Sequence, residues 1–146
     1  MSEKFKPYAA SLTLLVRDNR VLLIRRANTG WLDGYYTVPS GHVNEGESAS
    51  VAAARETHEE VGLQVDPVDL SMVHSMYRKS AEDGKIYVDF FFMTTKWDGE
   101  PVNCELDKCD DIAWFDMNQL PENTAPHLQE AIAKYRAHIH YSEMGW

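Results

Sequence analysis

The chain has 146 residues, 44% of them hydrophobic and 25% charged, which suffices to bury a sizeable apolar core without disulfide or metal staples. Its formal net charge of −9, from 23 acidic against 14 basic residues, argues against a nucleic-acid partner, whose backbone calls for a basic surface. A small phosphorylated ligand stays compatible with that charge, because a bound divalent cation inverts the local field.

The first residues, Met-Ser-Glu-Lys-Phe-Lys, lack the apolar core of a secretory signal, and no later stretch approaches the ~18 apolar residues of a membrane span. The expectation is a cytoplasmic protein with no membrane partner. Residues 8–16 read as a buried strand, 17–20 as a polar turn and 21–26 as a second strand. A loop with two glycines spans 27–34, and 35–38 reads as a short strand ended by Pro39, Ser40 and Gly41. Residues 48–61, rich in alanine and glutamate and followed by Gly62, are predicted to be helical. Strands follow at 73–77 and 85–95, joined by a turn at Asp83 and Gly84, with Phe90, Phe91 and Phe92 assigned to a buried strand. Another short strand is expected at 112–115 and a last helix at about 125–138. Cys104 and Cys109 are two thiols where a zinc site usually needs four ligands, so both read as ordinary thiols. No repeat or linker divides the chain, which reads as one domain over 1–146. Strands, helix, strands, helix predict an α/β fold with a mixed sheet covered by helices.

Chemistry concentrates between Gly41 and Leu63. On a helix, Glu56 to Glu59 is an i,i+3 step and Glu56 to Glu60 an i,i+4 step, so the three carboxylates share one face. Unneutralised, like charges at that spacing disfavour a helix by about 0.2–0.5 kcal/mol per pair. Arg55 offsets part of this through Glu59, its i+4 neighbour. A divalent cation would offset more. Mg²⁺ takes hard oxygen ligands and shares them among carboxylates, water and substrate phosphates, polarising phosphoryl oxygens and lowering the pKa of an attacking water. The glutamates alone favour a solvated acidic face, because charged helical faces are common.

The flanking residues decide between these readings. The segment follows Gly-x5-Glu-x7-Arg-Glu-U-x-Glu-Glu-x-Gly-U, with U bulky and apolar. Gly41, Glu47, Arg55, Glu56, Glu59, Glu60 and Gly62 fill the seven fixed positions, and Leu63 the last U. At roughly one in fifteen per specified residue, such a coincidence arises on the order of once in 10⁸ windows. Only Thr57 departs, where an aliphatic residue is preferred. This is the signature of the Nudix (MutT-like) hydrolases, which the chain resembles also at residues 22–26, at the 30–36 loop and at Trp114-Phe115.

The resemblance implies an α/β/α sandwich in which the signature forms a loop, helix and loop. It implies hydrolysis of a diphosphate linkage in a nucleoside triphosphate or other nucleoside diphosphate derivative, with Mg²⁺ or Mn²⁺. By position, Glu56, Glu59, Glu60 and the Gly41 carbonyl would hold the metal, one glutamate doubling as base. Glu47 would pair with Arg55 and hold Glu56 in place. A non-catalytic nucleotide sensor on the same fold is the alternative. Gly41 and Gly62 each have a local reason to be glycine: a tight turn on leaving a strand, and a left-handed helix cap.

Further substrate contacts are expected from Arg25 or Arg26. Strand alternation lets at most one of them face phosphate. Trp31, Tyr35 and Tyr36 are candidates to stack on a base, or core aromatics instead. Glu105 is either a further metal ligand or a surface glutamate, and His42 lies in the signature loop near substrate. Asn123 resembles a base-reading asparagine of MutT-like hydrolases. Its competing reading is an N-cap of the last helix, a place for which Thr124 also qualifies.

Overall fold

In the computed structural model, which describes residues 2–146, β1 (Tyr8–Arg17) is the strand from which both layers of the molecule are built. It turns directly into β2 (Arg20–Arg26) through Asp18 and Asn19, both at positive φ. β3 (Tyr36–Thr37) and β4 (Ser40–His42) follow, then α1 (Ala49–Val61). β5 (Ser71–Lys79), β6 (Ile86–Thr94) and β7 (Cys109–Asp116) lead to α2 (Pro126–Arg136) and β8 (Tyr141–Met144). The eight strands run in the order β3-β2-β1-β6-β5-β8, with β4 beside β1 and β7 beside β2. β1 with β6 and β5 with β8 pair in parallel, and the remaining pairs are antiparallel, so the sheet is mixed as expected.

Strand alternation explains the layering. Leu12 and Leu14 of β1 join Val21 and Leu23 of β2, Met76, Phe91, and Leu128, Ala131 and Ile132 of α2 in one core. Leu15, Leu22 and Ile24, one residue out of step, pack with Val61, Leu63 and Val65 on the opposite face. On that face Ser11 and Thr13 are fully buried yet satisfied. Their hydroxyls donate to the carbonyls of Ala49 at 2.7 Å and Ala53 at 3.4 Å, which seats α1 against β1. The helices therefore lie on opposite faces, the sandwich the resemblance implied.

The differences from expectation have local causes. β4 carries Ser-Gly-His, a weak strand former, and exists because Ser40, Gly41 and His42 pair with Leu12, Ser11 and Ala10. β8 is likewise made by its parallel register with β5. β7 begins at Cys109 because β2 recruits Asp111 opposite Arg25, although aspartate is a poor strand residue. α2 starts with Pro126 in its first turn, and its N-cap is Ala125, which makes no side-chain cap. Neither candidate cap is one: Thr124 Oγ1 donates to the Pro121 carbonyl and the Asn123 amide to that of Gly34. Both cysteines are free thiols. No described helix is long and apolar enough to cross a membrane.

Candidate active site

The 42–62 segment is a loop, helix and loop, and each end of α1 is fixed by its own residue. Ser48 is the N-cap and accepts from the Val51 amide at 3.2 Å. Gly62 ends the helix in the left-handed conformation at φ 74°, its N–H donating to the His58 carbonyl. Thr57 is fully buried, and its hydroxyl donates to the Ala53 carbonyl at 2.8 Å. The departure from the signature is thus absorbed inside the helix.

Arg55 organises the acidic residues around it. Its Nε and Nη2 donate to the two oxygens of Glu47 at 3.0 and 2.6 Å, and its Nη1 to Glu56 at 2.8 Å and Glu59 at 3.3 Å. A fifth bond, from Nη2 to the His42 carbonyl at 3.1 Å, ties the guanidinium to the loop. The fork matches the Glu47 carboxylate bidentately, which fixes direction as well as distance. Hydrogen bonds from Arg55 and from the Asn44 amide hold the Glu47 carboxyl down at about 2.

Glu56 behaves differently. Burial pushes its pKa up, outweighing the opposing pull of Arg55. Its carboxylate lies against Gly41 so closely that a Cβ there would sit 2.2 Å from Oε1. The tight-turn reason for Gly41 is therefore corrected. Gly41 has no left-handed φ, and glycine is needed because the Glu56 carboxylate fills the space of a side chain. Glu60 accepts from the Ser40 amide at 2.8 Å, and burial next to Glu56 raises its pKa well above the usual carboxylate range.

Glu56, Glu59 and Glu60 wall a cleft of about 490 Å³ together with Glu105, Arg26 and Lys108. Glu105, from the loop before β7, thus joins the helix glutamates. Among the described residues, no three acidic, histidine or cysteine side chains are already drawn together tightly enough to ring an ion.

A second cleft, of about 420 Å³, has Gly41 in its wall. Trp31, Tyr87 and His42 give it aromatic walls, and Arg26 borders both clefts. Of the two arginines expected to offer at most one phosphate contact, only Arg26 borders the clefts. Arg25 donates to Asp110 at 2.7 Å, lies over the Tyr36 ring and borders neither cleft. Arg26 stands over the Trp31 ring at 4.8 Å, and burial lowers its pKa. Trp31 donates to Glu82 at 3.2 Å. Tyr36 is a core aromatic, edge-on to Phe115, while Tyr35 and Asn123 border neither cleft.

The sequence reading missed Arg78, Glu82, Tyr87, Asp89 and His127, all of which line the aromatic cleft. One signal was available. Asp89 interrupts the apolar run of β6, and a lone acid there calls for a buried partner. That partner is Arg78 of β5, whose Nε and Nη2 donate to the Asp89 carboxylate at 2.6 and 3.2 Å.

A family model for the NUDIX domain matches residues 6–135. An ADP-ribose pyrophosphatase of Methanocaldococcus jannaschii is 30% identical over 124 residues, which are 83% of this chain and 69% of that one. A NAD-capped RNA hydrolase of Chromobacterium violaceum is 27% identical over 111 residues, covering 76% of this chain and 39% of its own, so the chain spans well under half of that relative. Among solved structures, a MutT NUDIX hydrolase from Burkholderia pseudomallei superposes with a TM-score of 0.81 at 26% identity, covering 88% of this chain and 98% of that one. Domain match, fold and signature agree: the chain belongs to the Nudix (MutT-like) hydrolase family.

Proposed function

We propose that this chain hydrolyses a diphosphate linkage in a nucleoside triphosphate or other nucleoside diphosphate derivative, using a divalent cation, Mg²⁺ or Mn²⁺, at the acidic cleft. The observation that carries this reading is the joint placement of Glu56, Glu59, Glu60 and Glu105 along one cleft, with Arg26 at its border. Glu56 and Glu60 carry raised pKa values there, Glu60 with no cationic hydrogen-bond partner among the described residues. Such oxygen donors fit Mg²⁺, which keeps several waters and completes its shell with substrate phosphates, so a closed cage of protein ligands is not required. Glu56, Glu59 and Glu60 would hold the cation, with the Gly41 carbonyl beside them.

When bound, the cation polarises the phosphoryl oxygens and acidifies a nearby water. Arg26 places a positive charge between the two clefts, where a diphosphate joining them would lie. Arg55 acts at one remove. Anchored on Glu47, it orients Glu56 and so positions a ligand without touching substrate.

The decisive experiment measures release of phosphate, pyrophosphate or mononucleotide from nucleoside triphosphates, ADP-ribose, nucleotide sugars and dinucleoside polyphosphates, with Mg²⁺, with Mn²⁺ and with chelator. Turnover confined to the metal-containing reactions is expected. Full turnover in chelator, or full turnover by Glu60→Gln, would remove the metal site from the account.

A further inference from the structure

β8 ends the sheet, and among the described residues its outer edge has no neighbouring strand. β5 fixes its phase. Ser75 donates to the His140 carbonyl at 2.9 Å, in a parallel register that sets Ser75 beside Tyr141 and Tyr77 beside Glu143. In such a ladder alternate residues turn their backbone groups toward the neighbouring strand, so His140, Ser142 and Met144 serve β5. Tyr141 and Glu143 point their N–H and C=O outward, and among the described residues no hydrogen bond reaches these groups. Alternation divides the side chains as well. Ser142 is buried against His74 at 2.8 Å and Met144 packs into the α2 core, whereas Tyr141 and Glu143 stand exposed on the other face. There Tyr141 is 52% exposed and Trp146 67%, with the Trp146 indole stacked on Tyr77 at 5.5 Å.

We propose that this edge pairs with the same edge of a second copy of the chain, antiparallel, about a two-fold axis at Ser142. Each Tyr141 then exchanges its N–H and C=O with those of the partner's Glu143, a closed and self-complementary contact. The register follows by elimination. Setting Glu143 against the partner's Glu143 opposes like charges. Setting Tyr141 against the partner's Tyr141 brings Glu143 to the partner's Ile139. In that residue the N–H already donates to the Lys134 carbonyl and the C=O already meets His74. The Tyr141-to-Glu143 register has neither fault. It also sets the Tyr141 hydroxyl, which donates to Glu143 of its own chain at 2.7 Å, beside the partner's Glu143.

Charge lets a copy of this acidic chain approach here. The whole chain carries −9, yet around this edge Glu130 and Glu143 are matched by Lys79 and Lys134. Gln129, Ala133 and Arg136 border Met117, Asn118 and Leu120, so Glu130 and Lys134 lie on the opposite flank of α2, the helix that packs on β5 and β8. Glu130 and Lys134 pair at 3.7 Å, and opposite charges one turn apart meet their own two-fold image without net repulsion. Pairing also covers part of Tyr141 and brings the Trp146–Tyr77 stacks of both copies onto one continuous sheet face. A strand of other sequence would meet the same backbone groups and gain none of this match.

The test is sedimentation equilibrium of wild type and Glu143→Pro over a series of concentrations. Proline at this position removes an outward N–H and leaves the bonds to β5 in place. Wild type is expected to pass from the mass of one chain to that of two as concentration rises. Glu143→Pro should raise the midpoint concentration about tenfold or more, with the melting temperature of the dilute protein little changed. A wild type that stays monomeric throughout, or a midpoint that Glu143→Pro leaves unmoved, overturns the proposal. Should the proline variant melt well below wild type, amide exchange of the wild type decides. Tyr141 and Glu143 amides that exchange more slowly as concentration rises support the pairing, and rates independent of concentration overturn it.

Discussion

Gly41 shows how much a single missing atom can carry. The group that a Cβ would strike is the far end of the Glu56 side chain, which can swing away, so Gly41→Ala should fold with little loss of stability. Swinging away, however, takes the carboxylate off its position between Arg55 and the cleft. Turnover should fall about 10–100-fold, the loss typical of disturbed support around a metal site, while the melting temperature moves by only a few degrees. A normal kcat in Gly41→Ala would mean that the packing of Glu56 on Gly41 has no part in catalysis.

Glu60 makes a prediction about pH. Its folded-state pKa is raised by burial beside Glu56, so the native protein holds that proton more tightly than the unfolded chain does. Without metal, stability should therefore fall as pH rises from the unfolded carboxyl pKa of about 4.3 through the folded value. Glu47 has the opposite sign. Its stabilising contribution is present above the unfolded pKa and fades as pH drops toward about 2. In urea melts with chelator, wild type should lose more stability between pH 5 and pH 8 than Glu60→Gln, which has no proton to release. Equal losses would place the raised group elsewhere.

At the scale of the element, α1 is set by its ends and its underside together. Ser48 and Gly62 fix its length, while Ala52, Ala53, Thr57 and Val61 are the residues it buries. Thr57 is the anomaly, because a hydroxyl bonded back to the i−4 carbonyl competes with the helix's own ladder and adds nothing to the apolar contact. The Ala53 carbonyl keeps its backbone partner if that hydroxyl is removed. Thr57→Val should therefore raise stability by about 0.5–1 kcal/mol, on the order of one buried methyl group, with kcat unchanged. Denaturant melts and steady-state kinetics check both halves, and a destabilised protein would show that the hydroxyl is needed where it is.

For the whole molecule, the central question is what joins the sheet to the aromatic cleft. The Arg78–Asp89 pair bridges β5 and β6 on the diagonal of their register, close to the middle of the sheet. Asp89→Ala would leave Arg78 buried without its carboxylate, at a cost of about 3–5 kcal/mol. That is a large share of a typical domain's ~5–15 kcal/mol, and it should lower the melting temperature by about 10 °C or more. A drop of only a degree or two would show that Arg78 finds solvent without its partner.

The sequence by itself determined the parts whose physics is local. Seven fixed residues at fixed spacing identified the family, and a helix puts residues three and four apart on one face wherever it sits in the fold. Alanine-rich propensity and a glycine stop bounded α1 almost to the residue. Tertiary structure decided whatever depends on a partner distant in the chain. β4 and β8 are strands only because β1 and β5 lie beside them, and the acidic run before Ile112 becomes strand because β2 needs a neighbour. The close packing on Gly41 could not be read from residues 15 positions apart, since it arises where β4 and α1 meet. The aromatic cleft was equally hidden. Trp31, Arg78, Tyr87, Asp89 and His127 come from two strands, a loop and a helix, and no spacing along a chain encodes that meeting.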